Sequence, residues 1–560
     1  MSMFQKNTNT PTHLERTCWH VRKKDRRTTM KWRQLPKSTF LTLVIFVAMF
    51  VQGVSPSQAA DTTIAKQAEP QAIDPHFSRT GNNQDIAEHI FDRLVQPDNT
   101  SALAPALAVS WKQVDDLTLE FKLRPGVKFH DGSNFSAEDV LFSMERAPKV
   151  PNSPASYAND VKSIAEVKAI DPLTVRFRSK QPNPLFLGEL GRIYIVSKKA
   201  AGTATTQDFN TGKAAVGTGA YRFIEWVPGE RVVLQRNENY WGEKPSFQRV
   251  TIKFISSDAS RVAALLSGGV EGIDSVPPTD LGKLRTDPKV SLWPALQPTL
   301  VYIHMDSNRN QTPFVTDRSG KPLDRNPFKD RRVRLALSKL IDRKMLVERV
   351  LQGAGEPAGQ MVPQGLFGYT PTMKPVAYDP EGAKKLLAEA GYPNGFSVTL
   401  HSANDRYVFQ SEVVQVLAQF LARGGIEVKV ETMPANVFMP RATKNEFSFF
   451  LLGYMSSTGD AMSGLTQVLA TVDEKNNLGS NNRGRYSNPE FDKVIKSAVV
   501  EMNQGKREKL LQQAAVIAFD DAGIIPIYFE VENYATRKGL KYDRGPGSRR
   551  ADAVNLSPVK

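Results

Sequence analysis

The chain has 560 residues, 73 Lys/Arg against 58 Asp/Glu for a formal charge of +15, and one cysteine. That length is enough for more than one core, and a lone cysteine excludes a disulfide framework. Residues 1–60 hold ten Lys/Arg and two Asp/Glu, so the remainder carries 63 basic and 56 acidic residues and is only +7, too mild a surplus for a nucleic-acid surface.

The first 37 residues are basic and contain Cys18. Phe40 to Val51 is an uncharged apolar run, shorter than the roughly 20 residues a membrane span needs. It has the length of a signal-peptide core, and Ser57, Ala59 and Ala60 supply small residues for cleavage near Ala59–Ala60. Met30, followed by Lys31, Arg33 and Lys37, forms a complete signal n-region, which points to Met30 as the true start. A genuine long leader or an uncleaved anchor is the alternative. No cysteine follows the apolar run, which argues against a lipid anchor.

Beyond the leader, Asp74–Asn82 is a polar loop and Ile86–Leu94 a short amphipathic helix, or a helix leading into a strand. Leu117–Leu123 alternates strictly, the pattern of a strand with one buried face. Arg124-Pro-Gly126 is expected to turn it back into a return strand at Val127–Phe129. Ser136 with Asp139 reads as a capping box. Arg231–Gln235 and Arg249–Ile255 are strands, and a helix through Arg261–Leu266 stops at Gly268. Asp306–Asn326 is a polar loop, and Asp330–Leu340 is helical. Asp379-Pro380 and Asn488-Pro489 each open a helix with a cap and a first-turn proline.

Phe396–His401, the helix Val408–Arg423 and Ile426–Val430 form a βαβ unit with parallel strands. Phe447–Gly453 is apolar throughout, as in a strand buried on both faces. Ligands of open α/β sheets bind outside the carboxyl ends of strands. The loops Ser402–Arg406 and Tyr454–Asp460 occupy such places; two ordinary solvated loops are the alternative. Ile524–Phe529 is a further strand, and the basic tail from Arg537 is expected to pack loosely on the surface.

Several of these segments together resemble one family. They are Leu107–Trp111, Leu119–Gly132 (LEFKLRPGVKFHDG), Phe135–Val140, Gly217–Phe223, Asn237–Gly242, Asp330–Leu337 and Tyr486–Asp492. In this order they resemble the family 5 extracellular solute-binding proteins, the dipeptide, oligopeptide and nickel receptors of bacterial ABC importers. The resemblance implies a two-lobed α/β periplasmic binding protein with a discontinuous lobe one. Lobe one would comprise 61–305 and 526–560, with an extra subdomain at about 96–214; lobe two would be 306–525. It implies no enzymatic activity and no cofactor. The implied partners are a small-molecule or short-peptide ligand and the permease subunits in the inner membrane. A monomer is expected, as is an exported, periplasmic location.

Enzyme signatures are absent: there is no G-x-S-x-G, phosphate-cradling loop or H-E-x-x-H. The histidines beyond the leader, His76, His89, His130, His304 and His401, show no metal-ligand spacing. A periplasmic hydrolase with an α/β core, or a membrane-anchored sensor, remains the alternative.

The resemblance also implies a site. In dipeptide-binding relatives an arginine in the loop matching Ser402–Arg406 receives the ligand carboxylate, and Arg406 stands there. The family's usual tryptophan is Tyr454 here, and its amino-binding aspartate is Ser457, with Asp460 three residues on. The amino-group site is therefore expected to be altered or displaced. Lobe one would contribute the loop Phe77–Gly81. Phe77 and Tyr454 would form flat walls, Arg79 and Arg406 would attract an anion, and Thr80, Ser457 and Asp460 would orient the ligand. A short peptide or another amphoteric or anionic solute is the expected ligand.

Overall fold

A computed structural model describes residues 61–97, 103–456, 458–542 and 552–559. The leader, Met30, Cys18, the cleavage region and Ser457 lie outside the described residues.

Twelve strands form one mixed sheet, and two long antiparallel strands, Val290–Met305 and Ile525–Arg537, run through its middle. On one side their outer ends join Gly272–Ile273, Thr62–Lys66, Arg249–Phe254, Arg231–Arg236 and Tyr221–Val227. On the other side Val290–Met305 pairs with Phe449–Met455, which meets Ser397–Ala403 and, through it, Glu427–Met433. The first group, with the core around Ile64, Ile90, Tyr221 and Val250, is lobe one. The second, lobe two, has a core on each sheet face, one around Tyr302, Phe450 and Leu469 and one around Ile303, Phe420 and Phe449. The ladder between the long strands is interrupted between Leu296 and Leu300, where the chain passes from one lobe to the other.

The βαβ unit is present as expected. Ser397–Ala403 and Glu427–Met433 pair in parallel over their full length, joined by the helix Gln410–Ala422. That helix starts two residues late because Phe409 is held at φ 51°, a left-handed conformation that blocks helical continuation. Phe449 to Leu452 are buried on both faces.

A separate four-stranded antiparallel sheet, Ala108–Asp115, Thr118–Leu123, Thr174–Ser179 and Ile164–Asp171, has its own core of Leu119, Phe121, Val140, Tyr157 and Phe177. The Ser136–Asp139 capping box forms and starts the helix Ala137–Arg146 across this sheet. Val127–Phe129 is not the return strand. Thr174–Ser179 takes that place, and Val127 and Phe129 instead bury their side chains in the subdomain core. A local turn signal could not reveal a partner about fifty residues away. Thr118–Leu123 is likewise buried beyond one face, since Arg176 covers Glu120.

The tail also departs from expectation. Leu540–Tyr542 pairs with Leu556–Pro558, and Ala553 and Leu556 are buried in the lobe-one core. The Ala553 N–H donates to His89 Nε2 at 3.0 Å, while Nδ1 lies 2.7 Å from the Asp85 carbonyl. One ring nitrogen accepts and the other donates, so His89 is neutral, in keeping with burial lowering its pKa.

Candidate functional site

A cavity of about 900 Å³ lies between the lobes. Lobe one lines it through Arg79, Thr80, Asp85, Arg192, Asp274 and Glu532, and lobe two through Pro363, Leu366, Met455, Thr458 and Gly459. Its floor is the interrupted stretch of the long strands, at Leu296 and Pro298.

One wall is cationic. Asp160 is 3% exposed and holds two guanidiniums, accepting from Arg79 Nη1 at 3.0 Å and Arg192 Nη1 at 2.9 Å. A buried carboxylate needs such partners. Both guanidiniums line the cavity. Arg192 belongs to the extra subdomain, yet its charge bears on Tyr454 of lobe two. Leu185 of the same subdomain packs against the lobe-two core.

Carboxylates line the same cavity. Lys66 Nζ meets Asp85 Oδ2 at 2.8 Å. Burial opposes the charge on Lys66, but Asp85, Asp274 and Asp552 outweigh it and raise its pKa. Burial raises the pKa of Asp274, and Lys66 opposes the rise. Burial also raises that of Glu532, whose Oε2 accepts from Tyr534 at 2.7 Å and from Gln297 at 3.4 Å, and whose Oε1 lies 3.2 Å from Ser275 Oγ. Arginines and several carboxylates, with one lysine among the latter, make a cavity suited to a solute with charges of both signs.

The expected residues are distributed unevenly over this geometry. Arg79 and Thr80 line the cavity, and Thr80 precedes the helix Gly81–Ile90 without a side-chain capping bond. Phe77 is half-buried in the turn closed by its N–H to the Asp74 carbonyl and is not part of the lining. Thr458 and Gly459 of the loop after Phe449–Met455 line the cavity. Tyr454 is half-buried against the core beside it; burial raises its phenol pKa, and a hydrogen bond with Ser463 and the charge of Arg192 oppose the rise.

Asp460 is 5% exposed and engaged by the protein itself. Its Oδ2 meets Arg507 Nη1 at 2.6 Å and its Oδ1 accepts from the Met462 N–H at 2.7 Å, capping the turn Ala461–Gly464. Arg406 is exposed outside the cavity lining, with its guanidinium 5.7 Å from the Tyr407 ring centroid. Tyr407 presses its hydroxyl onto Gly453, where an added Cβ would lie 2.5 Å away.

Arg192, Asp160, Asp85, Asp274 and Glu532 were not singled out from the sequence. Asp160 lies 81 residues from Arg79 and 32 from Arg192, and no spacing rule connects them.

The histidines are mostly structural. His76 Nε2 lies 2.8 Å from the Tyr194 carbonyl, and His130 Nε2 lies 3.0 Å from the Gly219 carbonyl. No helix among the described residues is long and apolar enough to cross a membrane.

The sequence profile of the bacterial extracellular solute-binding proteins, family 5, matches residues 102–476. The chain is 30% identical over 480 residues to heme-binding protein A of Haemophilus influenzae, covering 80% of this chain and 82% of that one. It is 30% identical over 474 residues to the glutathione-binding protein GsiB of Pectobacterium atrosepticum, covering 83% and 87%. Among solved structures, HbpA2 of Haemophilus parasuis superposes with a TM-score of 0.77 at 24% identity, covering 89% of this chain and all of that one. The unliganded open form of the murein tripeptide-binding protein MppA also gives 0.77, at 23% identity and with 89% and 97% coverage.

Proposed function

Because this chain belongs to the bacterial extracellular solute-binding proteins of family 5, receptors of ABC importers and not enzymes, we propose that its cleft captures a short peptide or peptide-like solute carrying charges of both signs. These relatives offer no support for the hydrolase or the anchored sensor. Family members bind peptides or small ligands outside the inner membrane and work with ABC permeases.

The observation that carries the ligand class is the cavity lined by charges of both signs. The Asp160-held guanidiniums of Arg79 and Arg192 line the same cavity as Asp85, Asp274 and Glu532. In this reading a ligand carboxylate meets the arginines and an ammonium meets the carboxylates. Both charges then leave water with partners in place, without which burial is prohibitive. Arg406 and the 454–460 loop, Ser457 included, close on the ligand from lobe two, with Phe77 and Tyr454 as flat walls. Asp460 contributes by holding that loop through Arg507. Glutathione, named for one relative, is a candidate of this class.

We assign lobe one to 61–305 with 526–560 and lobe two to 306–525, hinged at the long strands, and the extra subdomain to about 96–214. The chain, starting at Met30, is exported and cleaved near Ala59–Ala60, and the receptor acts as a monomer. The test is to identify by mass spectrometry the compound that co-purifies with the protein and to titrate it back by calorimetry. A peptide-like zwitterion is the expected result. A neutral sugar as the only stabilising solute would overturn this reading, and an intact N-terminus retained in membranes would overturn the export assignment.

A further inference from the structure

Six carboxylates line the cavity: Asp85, Glu88, Asp92, Asp274, Glu532 and Asp552. Most are committed within the protein. Lys66 holds Asp85, and Arg93 holds Glu88. Asp274 accepts from the Gln67 N–H at 2.8 Å and has Arg261 Nε at 3.7 Å. Asp92 and Asp552 have no cation within ion-pair distance among the described residues, but they are only 7% and 4% exposed. Asp92 accepts from Trp241 and Thr218 at 2.8 Å and from Tyr240 at 3.4 Å. Asp552 spends both oxygens on Asn555.

Glu532 differs from the other five. It is half-buried, and its hydrogen bonds come from three neutral donors. Tyr534 and Gln297 share Oε2, and Oε1 accepts only from Ser275 Oγ, at 3.2 Å. A carboxylate oxygen has about two lone pairs, so Oε1 can take a further donor. Burial, and then the like charges of Asp274 and Asp85, work against the ionised form while the cavity is empty; a cation beside it would favour that form.

The surroundings of Glu532 are built. Ser275 also lines the cavity and is held at φ 45°, a left-handed conformation that costs an L residue energy and persists only where neighbours enforce it. Arg261, 0% exposed, does so: Nη2 donates to the Ser275 carbonyl at 2.7 Å and Nε to the Asp274 carbonyl at 3.1 Å. Gln297 comes from the interrupted stretch of the long strands, which ties Glu532 to the crossing between the lobes. We propose that Glu532 is the acceptor of the ligand's ammonium, with Ser275 and Gln297 fixing its oxygens, and that the other five carboxylates do not bind that charge. The ligand class narrows to peptide-like solutes with a free amino terminus. This rests on the peptide-like reading of the cleft and assigns one residue within it.

The experiment titrates alanyl-alanine and N-acetyl-alanyl-alanine, which differ in the ammonium, into the wild type, Glu532→Gln and Glu532→Asp by calorimetry. The wild type is expected to favour the free-amine peptide by roughly 10-fold or more. Glu532→Gln should erase that preference without weakening the acetylated peptide, and Glu532→Asp should keep part of it. A wild-type preference that survives in Glu532→Gln, or equal losses for both peptides, would overturn the assignment while leaving the peptide-like reading intact. Should Glu532→Gln lose its cooperative melting transition, Glu532→Asp decides: a reduced preference supports the assignment and an unchanged one refutes it. If the wild type binds neither peptide, or binds both equally, the peptide-like reading itself fails and the assignment falls with it.

Discussion

Asp460 and Asp160 are buried carboxylates beside the cleft, held by arginines. Asp460 binds Arg507 through Oδ2, and Asp160 binds Arg79 and Arg192 through its two oxygens, so each positions a neighbour. Removing one partner of a buried pair leaves an uncompensated charge, which typically costs about 3–5 kcal/mol. Arg507→Met should therefore lower unfolding stability by about 3 kcal/mol in a urea titration, and adding Asp460→Leu should restore much of it. Stability equal to wild type in the single variant would show that the pair is not buried in solution. Arg406 is the opposite case, exposed and without an ion-pair partner among the described residues. Arg406→Ala should weaken binding of the native ligand by roughly 30-fold or more while leaving the melting temperature of the empty protein nearly unchanged. Equal calorimetric affinities in the two proteins would remove Arg406 from the site.

At the level of elements, the strand Ile525–Arg537 carries a pH response. Glu530 has its pKa raised to about 7, by burial first and the like charge of Glu532 next, against a hydrogen bond from Thr299 and the charge of Arg406. Between the ordinary glutamate value and about 7 the folded state keeps a proton that the unfolded chain has lost. Stability from this group is thus complete at low pH and falls as pH rises through 7, by at most about 3 kcal/mol. Melting temperatures of wild type and Glu530→Gln from pH 4 to 8 should diverge accordingly, with the variant losing less on the alkaline side. Parallel profiles would show that Glu530 has an ordinary pKa.

Elements defined by local periodicity were legible in the sequence. Ser397–Ala403, Gln410–Ala422 and Glu427–Met433 follow from alternation and helical spacing within forty residues. The Ser136–Asp139 box follows from two side chains three apart. What depends on distant partners was not legible. Val127–Phe129 lost its place to Thr174–Ser179, Ala553 and Leu556 turned inward to lobe one, and Asp160 gathered arginines from two separate segments. Of the two strand-end loops, one lines the cavity through Thr458 and Gly459, and Arg406 of the other lies outside the lining. The charge on its lobe-one walls depends on burial and on pairings that a linear pattern does not contain.

For the molecule as a whole, the governing feature is that Ile525–Arg537 is an interior strand of the twelve-stranded sheet. It lies between Val290–Met305 and Gly272–Ile273, and Gly272–Ile273 in turn pairs with Thr62–Lys66. Ala535 thus meets Ile273 across 262 residues of chain, and Thr536 meets Gly272. A chain ending at Ile524 should fail to fold compactly, read as loss of the cooperative urea transition; a cooperative transition in that truncation would show that the late strand is dispensable. The same pairing has a consequence in time. Contacts this remote in sequence form late, because the intervening chain must be closed first. Until Ile525–Arg537 is made, Gly272–Ile273 and Val290–Met305 each keep an edge without their late partner. The two halves of the sheet can therefore join only when synthesis is almost complete.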